Sequence, residues 1–130
     1  MTTLVVRQGH ATVVHLTDGS ESHGDAMAYE GDITGPDGLV GVIAGVNYTA
    51  RLQEGAQSDR VGMAIFSFAG DDSICVSGVV RYQPDQVYST AGARHISTVA
   101  GGTGRFIGAR GQLESVRNDD GSFTHTFTLL

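Results

Sequence analysis

The chain has no lysine and a single cysteine, Cys75. Without lysine there is no phosphate-binding P-loop, whose last glycine is followed by Lys. One cysteine forbids an internal disulfide and gives no sign of an oxidising compartment. Charge is also scarce, at 17% of residues with a net charge of −6. No basic stripe is left to neutralise phosphates, so nucleic acid is not an expected partner. No apolar run is long enough to span a bilayer. The first ten residues, MTTLVVRQGH, lack the basic start and apolar core of a signal peptide. These absences predict a cytoplasmic protein with no membrane partner. The hydrolase and metalloprotease signatures G-x-S-x-G and H-E-x-x-H are missing too. The five histidines are scattered, without metal-ligand spacing. Neither a metal nor any other cofactor is therefore expected.

What the chain does have is glycine, 19 residues in 130, with 40% hydrophobic residues. That length suits one domain, residues 1–130, able to bury most of its apolar surface. The composition favours a glycine-turned all-β domain. Strand-like segments follow in order. Residues 4–16 form one or two strands interrupted at Gly9. Residues 26–34, 40–52, 61–69 and 73–82 follow, then 95–100, 110–117 and 122–130. Turn chemistry separates them, as in Gly35-Pro36-Asp37-Gly38 and Gly70-Asp71-Asp72. Residues 17–25, 54–59 and 83–94 read as loops, the last with a short turn at Pro84. This predicts about eight strands and no helix. Val42-Ile43-Ala44 and Val79-Val80 are apolar on both faces of a strand. Two apolar faces suggest an outer surface covered by another copy of the chain.

Residues 100–111, AGGTGRFIGARG, contain five glycines: Gly101, Gly102, Gly104, Gly108 and Gly111. A dinucleotide fingerprint needs G-x-G-x-x-G and then a helix. Counted from Gly102 the last position is Ile107, and no helical period follows. A tight corner between two strands remains, with glycines where strands bend or pack closely. This segment resembles the GGTG-x-F-x-x-ARG signature of dirigent proteins and allene oxide cyclase-like barrels. The similarity extends through Gly24-Asp25, VGVIAG at 40–45, IFSF at 65–68 and Ser77-Gly78. It implies an eight-stranded antiparallel β-barrel, a cofactor-free activity and assembly into a trimer or dimer.

A barrel of eight strands leaves room for packed side chains or one small ligand. The strand period of two then separates candidates by face. In residues 40–52 one face holds Gly41, Ile43, Gly45, Asn47 and Thr49. Small residues around a mid-strand Asn look like a cavity wall, and the resemblance turns that face inward, where cyclases have a pocket cysteine. Asn47 either stabilises a substrate or ties strands together. Tyr82 shares a face with Ile74, Val76, Gly78 and Val80. The resemblance sets it near a pocket tyrosine of the cyclases, whereas rim packing is the plainer reading. Tyr29 and Glu30 lie where cyclases have a Phe-Ser pair followed by a catalytic Asn, here Gly31. Glu30 is either a buried acid–base group with a raised pKa or a solvated carboxylate. The cyclases' acidic first-strand residue has no counterpart, and His15 is the nearest titratable group. Met27, Ile43, Phe66, Phe68 and Cys75 complete the expected substrate lining with Tyr29 and Thr49. Cys75 with His95 would make a thiol nucleophile, but a lone Cys in an apolar strand is more often a buried hydrophobe. Arg110 reads as a buried pairing group rather than a substrate clamp.

The resemblance implies a cyclase or isomerase acting on a small apolar reactive intermediate, in the setting of bacterial secondary metabolism, including [4+2] ring closure. Allene oxide itself is not expected, because the cyclases' catalytic Asn is replaced here by Gly31. The alternative is a non-catalytic barrel that steers or carries a small molecule.

Overall fold

Runs of β-branched and aromatic residues, cut by glycine turns, form nine antiparallel strands among the described residues of the computed structural model. It describes residues 1–18, 24–52, 58–82 and 91–130, with backbone alone at 51–52, 58 and 81–82. The strands are β1 (Thr2–Gln8), β2 (Thr12–His15), β3 (Ala26–Thr34), β4 (Val40–Leu52) and β5 (Ser58–Phe68). They continue as β6 (Ser73–Tyr82), β7 (Arg94–Thr103), β8 (Gly111–Arg117) and β9 (Phe123–Leu129). Their order in the sheet is β1-β9-β8-β7-β6-β5-β4-β3-β2, and a further β1–β3 pairing closes it. The result is the expected eight-stranded antiparallel barrel with one extra strand, β2.

That extra strand follows from the interruption at Gly9. Gln8 lies opposite Ile33 and Thr12 opposite Glu30. The chain thus advances four residues against three on β3, which is a bulge. β1 and β2 share one edge of β3, and the bulge falls at residues 9–11.

Four sequence readings are adjusted by the structure. Helix is not wholly absent, since Pro36–Gly38 and Gly104–Phe106 are single 3-10 turns. Asp59, read as loop, lies buried in β5. Gly101 and Gly102 belong to β7, so the corner proper begins at Gly104. Gly104 has φ +60°, and a β-carbon there would run into the Asp72 carboxylate. The tip of this corner, Phe106, turns inward and packs on Phe68 with ring centroids 5.5 Å apart. It caps one end of the barrel, where Leu4, Ile33, Ile74 and Phe127 are also buried. Arg110 is exposed rather than buried, because Ala109 takes the place against the core and the next residue turns out.

The outer face of β4, β5 and β6 is apolar. Val42, Tyr48, Met63 and Val79 are all exposed there. No helix among the described residues is long and apolar enough to cross a membrane.

Candidate functional site

At the end opposite Phe106 the barrel is not filled. A cavity of about 120 Å3 opens between the strands, lined mainly by apolar side chains. Strand alternation decides which residues reach it. β3 contributes Met27 and Tyr29, β4 Ile43 and Asn47, β5 Ala64 and Phe66, and β6 Val76 and Val80. β7 adds His95 and Ser97, β8 Leu113 and Ser115, and β9 Phe123 and His125. Gln8 closes the ring from the end of β1. No carboxylate or guanidinium lines the cavity among the described residues. Arg60 is buried behind Met27, and its Nη1 donates to the sulfur of Met27 at 3.7 Å.

Glycines shape the wall. Tyr29 and Gly45 are register partners, and the Tyr29 ring lies where a β-carbon of Gly45 would be. Gly78 likewise makes room for Ser97, whose Oγ is 2.8 Å from the place of a β-carbon. Gly31 does the same for Gln8. A β-carbon at 31 would be 3.1 Å from the Gln8 amide nitrogen. So at Gly31, where the resemblance to allene oxide cyclases set a catalytic Asn, the chain brings in an amide from β1 across a bare glycine.

The polar groups are organised around His125. Its Nε2 donates to Gln8 Oε1 at 2.7 Å, and Ser115 Oγ donates to its Nδ1 at 2.8 Å. An amide oxygen only accepts, so Nε2 carries a proton, and in the neutral ring Nδ1 is left to accept the serine proton. Burial pushes the His125 pKa down to about 4, because charge would have to be carried without water. The ring stands edge-on to Phe66 at 5.0 Å and stacks with Phe123 at 6.0 Å. His95 lies opposite Ser115 in the β7–β8 register, as Ser115 lies opposite His125 in β8–β9. The three form one row across the inner wall. Burial lowers the His95 pKa as well. Its Nε2 is buried without a hydrogen-bond partner among the described residues.

The residues expected at the site divide by face. Asn47, Tyr29, Met27, Ile43 and Phe66 line the cavity. Glu30 does not. It follows Tyr29 on β3, so it turns outward into a surface groove with His10, Thr12 and Asp32. Cys75 does not either. It sits between inward-facing Ile74 and Val76, and therefore on the outer face, away from His95. Phe68 belongs to the capped end. Thr49 is 1% exposed, off the cavity lining, with Oγ1 unpaired among the described residues. Tyr82 ends β6, and its side chain lies outside the described residues. Gln8, His95, Ser97, Ser115 and His125 were not anticipated as lining. The signal was nonetheless present, since Phe123-Thr124-His125-Thr126-Phe127 alternates with His125 between two phenylalanines.

No family model and no curated protein sequence matches the chain. Solved structures do. A pyocyanin demethylase superposes with TM-score 0.72 at 13% identity, covering 99% of this chain and 98% of that one. A pterocarpan synthase dirigent protein superposes with TM-score 0.66 at 16% identity, covering 98% and 84%. Over almost its whole length, then, the chain has the β-barrel fold that these two proteins share, a dirigent-like barrel.

Proposed function

We propose that the chain is a cofactor-independent cyclase or isomerase that folds a small, apolar, reactive intermediate inside the barrel. One observation supports this above others: an apolar cavity bounded by neutral hydrogen-bonding groups, namely Asn47, Ser97, Ser115, His95 and the Gln8-bound His125. Such walls can hold a flexible substrate in a near-attack conformer. Preorganised uncharged dipoles can then stabilise charge developing on a carbonyl or alkoxide oxygen. Asn47 is the amide best suited to that task, being 4% exposed and on the lining. A cavity of about 150 Å3 holds one benzene. At about 120 Å3 this cavity is slightly smaller, so a ring-sized substrate would reach into the open end, and any longer chain would extend through it. One structural neighbour is named a demethylase and the other a synthase, which is in keeping with small-molecule chemistry on this fold.

A second reading has its own support. The lining contains no ionised side chain among the described residues, which suits a barrel that only steers a reactive molecule. The test is conversion of a self-cyclising acyclic precursor, with and without protein, read for rate and product handedness. A cyclase raises the rate and makes one enantiomer. A steering barrel changes handedness alone. If Ala64→Phe, which fills the cavity, leaves both effects intact, the cavity is not the site.

We also propose that the protein works as a homo-oligomer. The uncharged outer stripe formed by Tyr48, Val61 and Val79 with Val46 and Met63 supports this.

A further inference from the structure

We propose that His95 selects the ligand: its Nε2 anchors a phenolic or enolic hydroxyl on a ring-sized apolar molecule held in the barrel cavity. The proposal rests on the cavity being the ligand site. It adds which atom recognises the ligand and which functional group the ligand presents.

The two cavity histidines differ in what they still lack. Both ring nitrogens of His125 are used, one by Gln8 and one by Ser115. Its role within the protein is complete. His95 faces the same space, two strands away in the same row, and its Nε2 has no partner among the described residues. A buried polar atom without a partner is unfavourable, and such exceptions in native structures call for an explanation. A ligand group supplies one here, because the cavity lies against this ring.

The chemistry of that group follows from the walls. An ionic ligand would be buried without a countercharge, since no carboxylate or guanidinium lines the space among the described residues and burial disfavours charge on both lining histidines. A hydroxyl is neutral. It also both donates and accepts, so it pairs with Nε2 whichever ring nitrogen carries the proton. The rest of the ligand must be apolar and flat, to lie among Tyr29, Phe66, Phe123 and Leu113. Burial keeps the imidazole neutral by lowering its pKa, which suits a neutral hydrogen bond.

The probes are 4-methylphenol and toluene, which differ by the hydroxyl alone. Binding to the full chain is measured by calorimetry, and the His95 ring nitrogens are followed by 15N NMR. The wild type is expected to prefer 4-methylphenol by about tenfold, the size of one well-placed hydrogen bond. The preference should shrink to about twofold or less in His95→Leu, with toluene still bound, and return in part in His95→Gln. Added 4-methylphenol should shift the His95 Nε2 resonance and leave His125 in place. A wild-type protein that binds toluene without preferring 4-methylphenol overturns this inference and leaves the cavity reading standing. An undiminished preference in His95→Leu, or an unmoved His95 resonance, overturns it as well. If neither compound binds the wild type, this inference and the cavity reading fall together.

Discussion

Gly45 and Tyr29 face each other across β4 and β3, and the tyrosine ring occupies the space of the missing side chain, its hydroxyl 2.5 Å from where a β-carbon would be. The ring is thereby laid along the cavity wall. Gly45→Ala is expected to push Tyr29 off the wall and destabilise the fold by about 1–3 kcal/mol, the cost of overpacking. Removing the ring first should relieve the clash. In a double-mutant cycle with Tyr29→Ala, measured by urea unfolding, the two penalties should be far from additive. Additive penalties would show that the ring does not depend on the glycine.

Protonation of His125 should destabilise the barrel from within. Its folded pKa, about 4, lies below the unfolded value of 6.5. The folded state therefore disfavours the charged ring. The stability tied to the neutral form is whole above pH 6.5 and is lost as pH falls from 6.5 towards 4. A gap of that size corresponds to roughly 3 kcal/mol. Urea midpoints between pH 7.5 and 4 should fall more steeply in wild type than in His125→Gln. Parallel curves would remove His125 as the cause.

The glycine corner should tolerate no branched side chain. Gly104 has positive φ, and a β-carbon on Gly102 would lie 2.8 Å from the Ser73 carbonyl oxygen. Gly102→Val and Gly104→Val are each expected to cost more than about 1 kcal/mol. Thermal midpoints equal to wild type in both would contradict this.

Asn47→Ala separates catalysis from architecture. If the amide stabilises a substrate oxygen, kcat should drop by roughly ten- to a thousandfold while the fold holds. If it ties strands together, stability should drop by about 1–3 kcal/mol with the rate per folded molecule unchanged. Both quantities are to be measured on one purified variant, and the first pattern is the expected one.

Light scattering on dilute protein should report a multiple of 13.6 kDa. Met63→Glu, at a position 50% exposed on the outer stripe, should shift the population towards monomer. A monomeric wild type would end the oligomer proposal.

Much of the fold was legible because its causes are local. Glycine's freedom of φ marks the corner, and β-branched runs mark the strands. Period two sorted β4 correctly into an inner face with Ile43 and Asn47 and an outer face with Val42 and Tyr48. Applied strictly to β3, the same rule excludes Glu30 once Tyr29 is inside, because adjacent residues on a strand face opposite ways. The expectation that both would line the site set that geometry aside.

The sequence by itself determined most of the strand set, the glycine corner and the face of β4 that carries Ile43 and Asn47. Only the tertiary structure decided the polar half of the site. Gln8 and His125 are 117 positions apart. They meet because β1 pairs with both β9 and β3 and so closes the barrel. Gly31 leaves the gap that Gln8 fills, a relation between strands that no local pattern contains. The unpaired nitrogen of His95 is likewise a property of the closed barrel. Alternation states that two residues share a face, but only register and closure state which atoms come within reach of one another.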